Sequence, residues 1–217
     1  DKLLYLIFII FHHPVRWGTL IYGKVCLKMK VFGKENIPHP PYILCSNHSS
    51  HLDGMLLSCI IRHKIRWLIT RKHFENRKMR WMYRAMKLIP VNMEGMDSKA
   101  VRKSVEGLVD GDVLGIFPEG TRSKDGSIQD NVHLGAAYLA IKGQAPVFPA
   151  ALKGTFAALP PGSSRVKKVP ISIAFGEPIY PPDELSKANV EFMSGMIMDK
   201  IRELFDGLPD RNIDKDK

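Results

Sequence analysis

From Tyr42 onward, short continuous apolar runs alternate with segments in which apolar residues recur every three or four positions. The runs at Tyr42–Ser46, Arg66–Thr70, Leu88–Val91, Val113–Phe117, Pro146–Leu152 and Val169–Phe175 predict strands. Helical periodicity predicts helices over Met55–Arg62, Phe74–Lys87, Ser98–Val109, His133–Lys142 and Asn189–Phe205. Asp97 or Ser98 is the expected cap of the third helix, and Gly143 stands where a helix stop usually falls. In Phe74–Lys87, Met79, Met82 and Met86 share a side with Trp81 and Ala85 next to them, while Arg77, Arg80, Arg84 and Lys87 take the other positions. Pro38-His39-Pro40-Pro41 and Pro160-Pro161-Gly162 punctuate the pattern as turns, and the polar residues from Asp206 predict a frayed tail. Such alternation predicts a single-domain αβ sandwich with a largely parallel central sheet. The chain divides into an N-terminal apolar and basic helical element at 1–36, the main domain at 37–206 and a polar tail at 207–217.

Composition and charge refine this picture. A chain of 217 residues, 45% hydrophobic, can bury a full core. Cys26, Cys45 and Cys59 have no metal-like spacing; Cys45 and Cys59, within apolar runs, read as small buried side chains, and a reducing, cytosol-facing environment fits. The net charge of +10 is unevenly spread: residues 1–90 hold 16 Lys and Arg against four acids, and Arg62 to Lys87 sets ten bases against Glu75 alone. A membrane lipid, a phosphate-bearing substrate or a nucleic acid would each meet such a face, as would plain solvent. Leu3–Phe11 is an apolar run of nine residues, too short to span a bilayer and without the small-residue site of a signal peptide. With Trp17, Tyr22, Lys24, Lys28 and Lys30 it suits a helix lying in a membrane interface, or else one packed on the domain's own core.

Two polar segments follow two of the strands. Asn47-His48-Ser49-Ser50-His51-Leu52-Asp53 supplies a base and an acid, and Phe117-Pro118-Glu119-Gly120-Thr121-Arg122-Ser123 supplies a glycine turn with a carboxylate and a guanidinium. His48 and Asp53 would point about 140° apart on one continuous helix, so pairing them requires His48 in the loop and Asp53 in the first helical turn. Ser49 and Ser50 lie where that transition should fall. The carboxylate would then hold one imidazole nitrogen and leave the other as a base, the logic of a serine-protease dyad without its serine. A substrate that brings its own hydroxyl completes such a site. His51 is a rival base, and His48, His51 and Asp53 as metal ligands are a lesser reading. Arg122 offers a planar fork for phosphate, with Glu119 free to orient it or to bind a substrate hydroxyl.

Asn47-His48 with Asp53 and Phe117-Pro118-Glu119-Gly120-Thr121-Arg122 resemble the first and third signature blocks of the glycerolipid acyltransferase family. Leu88-Ile89-Pro90-Val91 is similar to the second and Ala145-Pro146-Val147-Phe148-Pro149-Ala150 to the fourth, so the resemblance runs from about Lys30 to Pro178. It is strongest to the bacterial 1-acylglycerol-3-phosphate acyltransferases. It implies transfer of an acyl group from acyl-CoA or acyl-carrier protein to lysophosphatidic acid at the cytoplasmic face of a membrane, with no further cofactor. His48 would be the general base and Asp53 its support. Glu119, Gly120, Thr121 and Arg122 would form the phosphate pocket, with Asn47 beside them. Asn92-Met93 stand where the family carries an arginine after its second block, and Lys72, with Arg71 next to it, is the expected replacement. The resemblance also favours the interfacial reading of Leu3–Phe11. Glycerol 3-phosphate or another lysolipid is the alternative acceptor. A non-catalytic protein binding anionic lipid through Arg62 to Lys87 is the alternative of another class. Nucleic acid ranks last, because the aromatics are not interleaved with the bases and no recognised binding motif is present.

Overall fold

The computed structural model describes residues 16–95 and 97–210. Leu3–Phe11 and the last seven residues of the tail lie outside the described residues. Helix α1 includes residues 16–26. The strands are β1 (Lys30–Phe32), β2 (Tyr42–Ser46), β3 (Ile65–Thr70), β4 (Ile89–Val91), β5 (Val113–Ile116), β6 (Val147–Lys153) and β7 (Ser172–Phe175). They form one sheet in the order β1-β7-β6-β2-β5-β3-β4. From β6 to β4 every pairing is parallel; β7 joins β6 antiparallel and carries β1 parallel to itself. The largely parallel sheet expected from the sequence is present, with the edge strand β1 drawn from the segment assigned to the N-terminal element.

Helices cover both faces. On one side pack α5 (Ser98–Val109), α6 (Gly135–Gly143) and α8 (Lys187–Gly207), against Ile43, Cys45, Leu114, Ile116 and Val147. The other side holds α2 (Leu52–Ile60) against Tyr42, Leu44, Val113 and Phe148. Alternate residues of the central strands thus enter opposite cores, which is why β2 and β5 read as unbroken apolar runs. Helix α1 is tied to the end of α2 by Arg16 Nε–H donating to the Cys59 carbonyl at 2.7 Å, and Leu20 packs into the same core. Its Trp17, Ile21 and Val25 face outward, 58, 60 and 70% exposed.

Several boundaries differ from the pattern in the sequence. The helix expected over Phe74–Lys87 is two short ones, α3 (Arg71–Phe74) and α4 (Arg80–Ala85). Between them Asn76 accepts the Lys78 N–H on its side chain, an Asx turn that competes with continued helix. Gly143 is the last residue of α6 rather than its stop; Gln144 takes the left-handed conformation at φ 44°. The glycine lies close against α5, since a Cβ there would lie 2.6 Å from Leu108 Cδ1 and that side chain would have to turn aside. Helix α8 runs on through Asp206 and Gly207, and Leu208 is buried beside Ala151 and Ala174, so the start of the tail is packed instead of frayed. The sequence pattern also missed α7 (Thr155–Ala158). No helix among the described residues is long and apolar enough to cross a membrane.

Candidate active site

β2 and β5 are parallel neighbours with Cys45 level with Ile116, so the two polar loops leave the same edge of the sheet side by side. His48 lies in the first loop and Asp53 in the first turn of α2. The imidazole Nδ1 stands 2.9 Å from Asp53 Oδ2, and the same oxygen accepts the Ser49 and Ser50 N–H groups, each at 2.7 Å. Asp53 therefore caps its own helix by reaching back to the loop. Ser50 contributes in turn, its Oγ accepting from Leu52 N–H and donating to the Leu159 carbonyl. Asp53 is fully buried, and its Oδ1 has no hydrogen-bond partner. With Nδ1–H donating to this carboxylate oxygen, Nε2 is left as the unprotonated, basic nitrogen of the neutral ring.

The ring plane is set by stacking. Phe117 lies against His48 with centroids 3.9 Å apart and planes 11° apart, and Trp67 lies against Phe117 at 4.8 Å and 11°. Trp67 Nε1–H donates to Ser58 Oγ on α2. Gly115 makes room for this indole, because a Cβ there would collide with the Trp67 ring. Phe117 stood within a quoted motif, but nothing in the sequence linked it to Trp67.

The second loop grips the first by its main chain. Glu119 Oε1 accepts the His48 N–H at 2.8 Å, and the His48 carbonyl accepts the Ser123 N–H at 2.8 Å. Glu119 Oε2 accepts both the backbone and side-chain N–H groups of Gln129, each at 3.0 Å. Burial pushes the Glu119 carboxyl above the usual range, and the hydrogen bonds from Gln129 and His48 oppose that push. Gly120 turns with φ 67°, and a Cβ on it would lie 2.5 Å from His133 Cδ2 and 2.6 Å from Met93 Cε.

A cavity of about 1700 Å³ opens at the two loops, with His48, Gly120, Thr121 and Arg122 on its wall. Met79, Trp81, Met82 and Met86 line it as well, so the methionine face of the basic helical segment belongs to this cavity. Arg122 has no acidic partner among the described residues, and its buried Nη1 has no hydrogen-bond partner. Glu119, turned toward Gln129 and His48, does not orient it. His51 is on the same wall, and its pKa is lowered by burial first, then by the positive charge of Arg122 and the neighbouring His48 and His73.

Three residues expected at the site lie off the cavity wall. The Asn47 side chain is buried and exchanges two hydrogen bonds with the Leu152 backbone, at 2.9 and 2.8 Å, locking the end of β2 to β6. Arg71 donates to Asn92 Oδ1 at 2.8 Å and to Asp97 Oδ2 at 3.4 Å, which joins α3 to the cap of α5. Lys72 is exposed on α3, outside the cavity wall. Neither base is brought to Arg122.

A carboxylate-supported imidazole at the carboxyl edge of a parallel sheet thus faces a large apolar cavity, whose wall carries a guanidinium with no acidic partner among the described residues. The Acyltransferase family matches residues 28–153, more than half of the chain, and the chain belongs to that family. It is 27% identical over 181 residues to the 1-acyl-sn-glycerol-3-phosphate acyltransferase of Bacillus subtilis (strain 168), covering 81% of this chain and 87% of that one. With the chloroplastic 1-acyl-sn-glycerol-3-phosphate acyltransferase LPAT1 of Arabidopsis thaliana it shares 30% identity over 165 residues, 72% of this chain and 45% of the plant protein. The crystal structure of the 1-acyl-sn-glycerophosphate (LPA) acyltransferase PlsC from Thermotoga maritima has the same fold, with a TM-score of 0.68 at 23% identity over 84% of this chain and 74% of that one.

Proposed function

We propose that this acyltransferase moves a fatty acyl group from a thioester, acyl-CoA or acyl-carrier protein, to the free hydroxyl of 1-acylglycerol 3-phosphate, giving phosphatidic acid. The observation that carries this reading is the His48–Asp53 pair at the mouth of an apolar cavity that also holds the unpaired Arg122. His48 Nε2 takes the proton of the acceptor hydroxyl while Asp53 compensates the imidazolium charge. The oxygen attacks the thioester carbonyl, the carbon–sulfur bond breaks, and His48 returns the proton to the departing thiolate. Thr121 and Arg122 flank the acceptor phosphate, and the apolar wall takes the acyl chains. The names of the relatives from Bacillus subtilis and Arabidopsis thaliana support this acceptor.

In this reading the outward face of α1, with Trp17, Ile21 and Val25 exposed, meets a lipid surface at the cytoplasmic side of the membrane. Free-thiol release measured with lysophosphatidic acid and acyl-CoA tests the reaction. Release that needs both substrates and is lost in His48→Ala is the expected result; undiminished release by folded His48→Ala overturns the mechanism. A phosphate-free monoacylglycerol should be a poor acceptor, because it leaves Arg122 unpaired. Equal use of both acceptors would remove Arg122 from the phosphate.

A further inference from the structure

Gln129 belongs to neither signature segment, yet it donates three hydrogen bonds to the second of them. Its backbone N–H and its side-chain amide both donate to Glu119 Oε2 at 3.0 Å, and the same amide donates to the Thr121 carbonyl at 2.8 Å. Glu119 passes the connection on through its other oxygen, which holds the His48 N–H at 2.8 Å. We propose that Gln129 is a positioning residue for the acyl transfer, clamping the Glu119 carboxylate in the orientation that keeps the His48 backbone, and so the base, in register with the phosphate loop. The inference rests on the reading of His48 as the base.

Glu119 is 2% exposed, and an ionised carboxylate at such burial needs donors on both oxygens. It has three here, two from Gln129 and one from His48. Among the described residues, Oε1 has the His48 N–H as its one donor, and Oε2 has those of Gln129. Removing the Gln129 side chain deletes one of the two donors to Oε2 and frees the Thr121 carbonyl at the same time. The buried carboxyl then gains by taking up a proton, since burial already acts in that direction. A protonated Glu119 has only one full acceptor oxygen to offer, and the hold on His48 N–H loosens. His48 is a charged neighbour of Glu119 as well as its hydrogen-bond donor, which ties the carboxylate to the base by a second route.

Two substitutions separate this role from simple stabilisation. Gln129→Ala should lower kcat roughly ten- to a hundredfold, the worth of a charge-assisted hydrogen bond, with KM for lysophosphatidic acid much less affected. Gln129→Glu sets a second carboxyl at the same 3.0 Å from Oε2. While the two carboxyls share a proton, one donates to the other as the amide did; when both ionise, they repel. Turnover by Gln129→Glu should therefore fall as pH rises through the upper apparent pKa of the pair, where wild-type turnover, dependent on neutral His48, does not. Hydrogen exchange at the His48 N–H, followed by NMR without substrate, should quicken in Gln129→Ala at neutral pH. In Gln129→Glu it should quicken only above that same pH.

Thiol release by the wild type tests the reaction itself, whereas the exchange measurement tests the clamp whatever the substrate proves to be. Unchanged His48 exchange in both variants overturns the proposal. So does a Gln129→Glu pH profile parallel to that of the wild type. If Gln129→Ala melts too low to assay, Gln129→Glu at acid pH, where the shared proton restores the donor, carries the test alone.

Discussion

Asp53 accepts three hydrogen bonds on Oδ2 and none on Oδ1, deep in the protein. The dipoles on one side orient the carboxylate without neutralising it, which leaves a net attraction for the imidazolium that forms in the reaction. Asp53→Asn keeps the shape and removes the charge, and its amide competes for the wrong imidazole tautomer. We expect kcat to fall by on the order of 10³–10⁴, judged from an analogous carboxylate in hydrolytic triads, with little change in KM. Steady-state thiol release checks this. His51 offers a second measurement, because Arg122 is the largest charged contributor to its lowered pKa. Arg122→Gln should raise the His51 pKa in an imidazole NMR titration, though not to the ordinary value, since burial remains the first cause. The lowering also carries a stability sign. The unfolded chain binds the His51 proton more readily, so stability contributed above the ordinary histidine pKa is lost as pH falls toward the folded value, and Arg122→Gln should lessen that loss. At this scale the sequence disclosed the dyad, because residue type and the five-residue spacing force a loop-to-helix geometry. It did not disclose that Asn47, Arg71 and Glu119 have structural partners. Leu152 becomes a neighbour of Asn47 only when β2 and β6 pair, and Asp97 and Gln129 reach Arg71 and Glu119 through loop and cap geometry that no periodicity encodes.

Among the elements, the strands were the most legible, since an unbroken apolar run survives burial on both faces. The segment Phe74–Lys87 was less so: the methionine periodicity holds over α4 and its caps, Met79 and Met86, whereas the Asx turn at Asn76 leaves Phe74 on a separate short helix. Gly143 misled for a different reason, as a glycine lying close against Leu108 of α5 looks the same in sequence as a glycine that ends a helix. Gly115 on β5 gives the sharpest test here. Gly115→Ala should push Trp67 away and destabilise the fold by about 1–3 kcal/mol, as overpacking of a filled core does. The Trp67–Phe117–His48 stack should be disturbed along with it, so urea melts and kcat ought to decline together. A variant with lower stability but wild-type kcat would separate the stack from catalysis.

Over the whole molecule the basic excess sits in the first 90 residues, 16 bases against four acids, together with α1 and the α3–α4 segment. Vesicle binding should strengthen with anionic lipid and weaken as salt rises through 0.1–0.5 M, where the Debye length shrinks below about 10 Å. Val25→Asp, on the most exposed apolar position of α1, should cut vesicle partition while leaving turnover of a short-chain, water-soluble acceptor near the wild-type level. Co-sedimentation and thiol release measured on one preparation check both halves. The order of strands in the sheet has a consequence for how the protein is made. β2, which delivers His48, is flanked by β5 and β6, and the His48 main chain is held by Glu119 and Ser123 while Asn47 is held by Leu152. A nascent chain released only as far as residue 100 therefore holds His48 and Asp53 without the strands and loops that align them. On the proposed function such a chain should stay catalytically silent until residues past Leu152 have emerged and paired.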